Sequence, residues 1–592
     1  MTSAKKTNKP ASAPQPAAKP VIYQLMTRLF TNYCDTPQVN GTLETNGSGK
    51  LNLINSTILA NIADLGATHV WFTGVIEHAH NADYTAYGIP RHNAHVVKGN
   101  AGSPYAITDY YDIDPDLAVD VPNRMAEFEA LVERTHRAGL KVVIDFVPNH
   151  VGRQYASDAK PAGISDFGQG DNPEMFFRRD NNFYYITRQQ FAPSIDLGSG
   201  ADQYVEFPAK ASGNDCFTAF PGRNDWYDTV KLNYGVDPGN PTPSFDPVPD
   251  TWFKMLHILR FWAAKGVDAF RCDMVHMVPL EFWEWAVPQV KSHYPGTQFI
   301  AEIYDVGLYR PYIERGGFDY LYDKVNLYDT LRAIETANHS AATLTNCWQT
   351  VEGIGGNMLN FLENHDEQRF ASPFYAGDAA KVTPSLVVST LMGTGPMMIY
   401  FGQELGEPGT DAEGYSGLDG RTTIFDYWSV ATVRRWLNRG DCRGPLTADQ
   451  KKLRVLYRRV LRLANCEAAA ARGAFFDLMY VNYSNPEVNP HRHYIFLRHF
   501  EGELLVVAVN FGESDSTLRV NIPVHAFECL GMPQGIDPAA VELLTGTVAP
   551  KRLSATEPFE AFVPAHGAAV WKLTAQSMKP LEHAGAPTSA EK

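Results

Sequence analysis

Eight short apolar runs recur along this chain of 592 residues, most of them separated by helix-length intervals. They are Val21-Ile-Tyr-Gln-Leu, His69-Val-Trp-Phe-Thr, Lys141-Val-Val-Ile-Asp145, Val267-Asp-Ala-Phe-Arg271, Gln298-Phe-Ile-Ala-Glu302, Tyr320-Leu-Tyr322, Met358-Leu-Asn-Phe-Leu362 and Met397-Met-Ile-Tyr-Phe401. Runs this uniformly apolar suit strands buried on both faces, as in a parallel sheet covered by helices. Eight strand-helix units of this length predict a closed barrel rather than an open doubly wound sheet. No GxGxxG follows the first run, which counts against a dinucleotide-binding fold. The expected class is α/β, a (β/α)8 or TIM barrel.

The pattern also divides the chain. Barrel segments are expected over residues 21–150 and 247–472, interrupted after the third strand by an inserted domain at 151–246. That insert is rich in Gly, Asn, Asp and aromatics (Phe176, Phe177, Tyr184, Tyr185, Trp226, Tyr227), and a loop so long is usually functional or a small domain. Its aromatics fit two readings, stacking on a ligand's rings or forming the insert's own core. Asn123 is expected to cap a helix carrying Met125, Phe128, Leu131 and Val132, stopped by Gly139. Thr447-x-x-Gln450 is a capping-box signature opening another. From residue 473 to 575 short alternating strands predict a C-terminal antiparallel β-sandwich. The ends, 1–20 and 576–592, read as disordered tails. With no apolar core in the first, a signal peptide is not expected, so the cytoplasm is the expected location. The uncharged run from Val382 to Gly402 holds Pro384, Gly393, Gly395 and Pro396, so a helix and buried strand are expected rather than a membrane span.

Besides the run closing on Asp145, three of the apolar runs lead onto an acid: Ala269-Phe-Arg-Cys-Asp273, Phe299-Ile-Ala-Glu302 and Phe361-Leu-Glu-Asn-His-Asp366. A barrel gathers such strand ends at one face, where active sites form. Asp145, Asp273, Glu302 and Asp366 would then share one cavity with His150, Arg271 and His365. Crowded acids cannot all ionise freely, so one pKa should rise while an arginine holds another acid charged. Glycoside hydrolysis needs that combination, with one carboxylate attacking or stabilising the anomeric carbon and another, protonated, serving the leaving oxygen.

Asp145-Phe-Val-Pro-Asn-His150, Gly266-Val-Asp-Ala-Phe-Arg-Cys-Asp273, Ala301-Glu302 and Phe361-Leu-Glu-Asn-His-Asp366 resemble, in order, the four signature regions of the α-amylase family of retaining glycosidases and transglycosidases. The resemblance implies Asp273 as nucleophile, Glu302 as general acid/base and Asp366 as the acid that grips sugar hydroxyls. It implies that Arg271 orients Asp273, that Asp145 braces Arg271, and that His150 and His365 bond the central sugar. Tyr105 resembles the aromatic platform beneath that sugar, its other reading being a buried barrel tyrosine. Ser103-Pro104 replaces the His-Gly pair frequent before that tyrosine. The Lys-His pair of calcium-dependent members is absent, Met274-Val-His276-Met277 standing there. Asn149 matches a calcium ligand in many members, with Asp225, Asp228 or Asn233 as further candidates; its other reading is a loop hydrogen bond. A structural calcium is thus an open expectation, while the chemistry needs no cofactor. Asn224 to Tyr234 is similar to segments of both hydrolases and maltosyl-transferring members.

The expected activity is cleavage of α-1,4-glucosidic bonds in starch- or glycogen-type glucans or malto-oligosaccharides by double displacement. Transfer to a sugar or phosphate is the alternative, and a catalytically silent glycan-binding member the third reading. Lys+Arg 51 against Asp+Glu 66, a net charge of −15, argues against nucleic-acid or anionic-membrane partners and suits a neutral saccharide. Seven scattered cysteines without a CxxC pair predict neither a disulfide framework nor a zinc site. His78, His80, His92 and His95 are spaced too irregularly for a metal site and are expected in a solvated or sugar-facing loop. The sequence leaves oligomeric state open.

Overall fold

The computed structural model describes residues 19–581, apart from 196–202, 241, 244 and 338. All eight predicted strands form, as β1 Val21–Met26, β2 His69–Thr73, β3 Lys141–Phe146, β4 Ala269–Cys272, β5 Gln298–Ala301, β6 Tyr320–Tyr322, β7 Met358–Phe361 and β8 Met397–Tyr400. They close into a barrel in sequence order, every pair parallel, with β8 returning to β1. Their residues are almost wholly buried because helices cover the outside and side chains fill the inside. Helices such as Arg124–Arg137, Asp250–Ala264, Leu280–His293 and Ala448–Cys466 form that cover, each turning an apolar stripe inward.

Helix ends obey local chemistry unevenly. Thr447 and Gln450 form the predicted capping box. Asn123 does not cap its helix; its side-chain amide donates to Asp120 at 2.8 Å. Glu127, in the first turn, instead accepts from the backbone N–H groups of Val119 and Asp120. Gly139, at φ 77, ends that helix in the left-handed conformation glycine tolerates. The uncharged run holds the helix Thr383–Leu391 followed by β8. Among the described residues no helix is long and apolar enough to cross a membrane.

Between β3 and β4 the chain forms two small antiparallel ribbons, His150–Gly152 with Thr229–Lys231 and Tyr185–Ile186 with Ala209–Lys210. Tyr184, Ile186, Phe191, Ala211 and Tyr227 make a separate core there, with Phe176 and Phe177 against it. After the barrel comes a six-stranded antiparallel sheet, from Ala474–Asp477 through Gly567–Thr574 to the edge strand Thr547–Leu553, with a two-stranded ribbon of Ser516–Val520 and Phe559–Val563. Alternating burial along Phe559–Val563 turns one face of that ribbon inward.

Two segments expected in the tails are held in the fold instead. Lys19 is buried, with its ammonium on the carbonyls of Thr390 at 2.5 Å and Gly393 at 2.9 Å. Lys579 exchanges two backbone hydrogen bonds of 2.9 Å with Ile536. Such pairing depends on distant partners, which local composition does not carry. Residues 1–18 and 582–592 lie outside the described residues.

Candidate active site

Strand pleat fixes what faces the barrel's axis. Arg271 on β4 stands in register with Asp145 on β3, and Asp273, two residues on, shares its face. Glu302 immediately follows β5, and His365 and Asp366 lie in the loop after β7. The predicted residues are brought together. A cavity of about 300 Å³ is lined by Tyr105, His150, Asp273, Glu302 and Asp366. A second of about 470 Å³ continues from it, sharing Tyr304, Asp366, Ile424 and Phe425 as walls.

Arg271 organises the acids. Its guanidinium is buried and lies 2.7 Å from Asp273 Oδ1, 2.6 Å from Glu302 Oε2 and 3.5 Å from Asp145 Oδ1. The rings of Trp71, Tyr105 and Tyr322 surround it, with centroids 5.3, 5.3 and 5.6 Å away. That shell excludes water and strengthens each charge contact. Asp145 is held from its other side by Trp71 Nε1, which donates to Oδ2 at 3.0 Å. Tyr105 leans on the same acid, its hydroxyl 3.4 Å from Asp145 Oδ1 and 2.5 Å from His365 Nε2. Gln24 Nε2, 2.8 Å from His365 Nδ1, fixes that ring from behind.

The acids separate electrostatically. Burial pushes Asp273 up, and Arg271 pulls it back towards the charged form. Burial also lifts Glu302, to about 7, against the pull of Arg271 and with help from the anionic Asp273 and Asp366. Enclosure pushes Asp366 up, but His365 at 3.0 Å, with Arg271 and Arg421 nearby, outweighs it and holds the carboxyl at about 2. Burial lowers His150 to about 3, so its ring is neutral near pH 7.

Comparison with known proteins decides the family. Residues 37–194 and 247–435, more than half of the chain, match the family model described as alpha amylase, catalytic domain. The chain belongs to the α-amylase family. Neopullulanase 2 of Thermoactinomyces vulgaris is 22% identical over 477 residues, 78% of this chain and 63% of that protein. An alpha-amylase of Saccharomycopsis fibuligera is 24% identical over 59% of this chain and 58% of that protein. The chain thus spans less than two thirds of these curated relatives. The crystal structure of an alpha-amylase from Geobacillus thermoleovorans complexed with acarbose superposes with a TM-score of 0.60 at 17% identity, over 94% of this chain and 98% of that one. A gamma-CGTase from Bacillus clarkii gives 0.62 at 17% identity, over 95% of this chain and 71% of that one. At such identity the superpositions establish the shared fold.

Within this α-amylase-family barrel, Tyr304 escapes sequence reasoning, while Asp228 and Trp226, singled out in the sequence, line the cavity. Tyr304 donates to Glu302 Oε1 at 2.6 Å; its position two residues past the acid was the available signal. Asp228 is buried in the cavity wall and paired with Lys98 at 3.0 Å. Trp226 packs tilted against His150, with ring centroids 5.1 Å apart, so the insert's aromatics divide: Trp226 faces the cavity while Phe176, Phe177, Tyr184 and Tyr227 form the insert's core. His78, His80 and His92 are buried in a packed cluster rather than solvated or facing sugar, edge-on to one another with centroids 6.5 and 5.6 Å apart.

The calcium expectation meets a different arrangement. Asn149 Oδ1 accepts a hydrogen bond from the Lys231 ammonium, and Asn149 Nδ2 donates to the Gly213 carbonyl at 2.7 Å. Asp225 accepts from Asn214 and the Gly222 N–H, Asp228 pairs with Lys98, and Asn233 donates to the carbonyls of Arg178 and Asn181. None of the three joins Asn149. A hard divalent cation wants six to eight oxygens, and a fixed positive charge already fills the centre of this donor set. The residues do not fit calcium at Asn149.

Proposed function

We propose that the protein is a retaining glycosidase that cleaves α-1,4-glucosidic bonds in malto-oligosaccharides or starch- and glycogen-type glucans. The observation that carries this reading is the single guanidinium of Arg271 on both Asp273 and Glu302. It keeps the two acids on adjacent strand ends and unequal in proton affinity. Contacts of 2.7 and 2.6 Å to one guanidinium set the two carboxylates side by side, the close pairing a retaining enzyme uses. The continuation of the cavity past Asp366 gives room for more than one sugar.

Asp273, kept anionic by Arg271, attacks the anomeric carbon. Glu302, lifted to about 7, keeps its proton up to near-neutral pH and gives it to the departing oxygen. Asp366 and His365 bind ring hydroxyls and favour the distorted ring, with Tyr105 beneath and His150 at the rim. When Asp273 becomes a glycosyl ester its charge disappears, so Glu302 grows more acidic and can deprotonate the incoming acceptor. Configuration is retained through two inversions.

The deciding experiment incubates the protein with maltoheptaose, with and without orthophosphate, and resolves the products. Shorter oligosaccharides alone support hydrolysis. Longer chains support a transglycosidase, and sugar phosphates a phosphate-dependent transferase. No turnover of any substrate offered would sink the enzymatic reading and leave a glycan-binding role.

Tyr304 gives a finer test. Its hydroxyl stabilises the charged form of Glu302, so Tyr304→Phe should raise the acid's pKa. The alkaline limb of kcat/KM is expected to move up by about half to one pH unit, since one hydrogen bond is worth about 1 kcal/mol. An unmoved limb would remove Tyr304 from this role.

A further inference from the structure

Lys231 lies at the end of the ribbon strand Thr229–Lys231, opposite His150 in register. That register turns its side chain beneath the rim of the barrel, where it is 8% exposed. Its ammonium meets three oxygens from three separate segments. Asn149 Oδ1 belongs to the turn after β3, Asp215 Oδ1 lies 2.7 Å away in the insert, and the Met277 carbonyl lies 3.0 Å away in the turn after β4. The Gly213 carbonyl takes the amide of Asn149 and so aims its oxygen at the ammonium.

We propose that Lys231 serves as a tethered cation, holding the insert against the barrel at the place where a bound divalent ion would otherwise do so. An ammonium has three donors, and three oxygens satisfy them. The count is too small for calcium and correct for lysine. One carboxylate, Asp215, balances one positive charge. Because the cation is covalently attached, it cannot be lost by dilution or chelation.

The tether reaches the catalytic acid as well. Met277 closes the 3-10 turn Val275–Met277, which follows Met274 at φ 43. The Met274 N–H donates to Glu302 Oε2 at 3.0 Å. Holding the Met277 carbonyl therefore fixes the turn that presents this donor. Lys231 is a positioning residue for Glu302, acting through the backbone.

Thermal unfolding, metal analysis and pH-rate profiles on the full chain test this. The wild-type melting temperature is expected to be unmoved by EDTA or by millimolar calcium. Lys231→Met, similar in length without the charge, should melt lower by on the order of 5 °C. It should also lower kcat more than it changes KM and shift the alkaline limb of the rate profile, which a purely structural tie would leave in place. Lys231→Arg should recover part of both effects. Lys231→Ala vacates the oxygens, and added ethylammonium should raise its melting temperature while leaving wild type unchanged. Calcium bound stoichiometrically to wild type and lost in Asn149→Ala would overturn the proposal, and that measurement needs no lysine variant to fold. A Lys231→Met protein with wild-type melting temperature and pH profile would overturn it too.

Discussion

Asp273→Ala is expected to lower kcat on malto-oligosaccharides about 10⁴-fold or more while leaving the fold in place. The chemical reason is that no other oxygen can attack from that side. Arg271 keeps Asp273 on the strand face shared with itself, whereas Asp366 is tied to His365. The structural reason is that Arg271 retains Glu302 at 2.6 Å and Asp145 at 3.5 Å once Asp273 is gone. Its charge is still compensated, so near-ultraviolet circular dichroism and the melting temperature should stay close to wild type. The shortened side chain leaves space for a small anion. With an activated glucosyl donor, azide should restore turnover in Asp273→Ala and yield the product of inverted configuration, because one displacement replaces two. Asp366→Asn should also slow the reaction, yet azide should not rescue it. Turnover of Asp273→Ala within tenfold of wild type, or azide rescue confined to Asp366→Asn, would reassign the nucleophile.

The parts of this arrangement that were legible in the sequence share a local cause. A barrel strand is apolar on both faces, so β1 to β8 show as continuous runs that need no partner to be recognised. An acid closing such a run has few structural uses, which is why Asp273 and Glu302 stood out. The meeting of Arg271 with Asp145 follows once two neighbouring strands are parallel and in register. What stayed hidden depends on contacts between segments far apart in the chain. Lys231 occupies the oxygen of Asn149 only because the ribbon sets it opposite His150. The Lys98–Asp228 pair joins the loop after β2 to the insert. Asn123 had the right residue type for a helix cap but its amide reaches back to Asp120, while Glu127 binds the N–H groups of Val119 and Asp120 ahead of the helix. The spacing of His78, His80 and His92 could not reveal that folding would bury all three. Lys579 looked like tail composition, although its backbone joins the C-terminal sheet through Ile536.

Glu302→Gln is expected to show the second-largest effect, a loss of about 10²–10⁴-fold on malto-oligosaccharides. The size of that loss should depend on the leaving group. An alkoxide leaving a glucan needs the Glu302 proton, whereas fluoride or a nitrophenolate leaves without one. The variant should therefore lose far less activity on an α-glucosyl fluoride, with deglycosylation becoming limiting. The pH profile follows from the same proton. Glu302 is active as an acid only while protonated, and burial raises its pKa to about 7. Wild-type kcat/KM should hold below that value and fall as pH rises through it. Asp273 must be charged, and burial raises it against Arg271, so the acidic limb should lie above the ordinary aspartate range. In Glu302→Gln the alkaline limb should vanish while the acidic one remains. The charge cycle adds a sharper test. In the glycosyl-enzyme the Asp273 anion is gone and Glu302 acts as the base, so deglycosylation should show an acidic limb, rising with pH through a Glu302 pKa below the value governing the first step. Pre-steady-state measurement with a donor that accumulates the intermediate separates the two steps. Equal losses across leaving groups, or one unshifted Glu302 pKa in both steps, would remove Glu302 from the acid/base role.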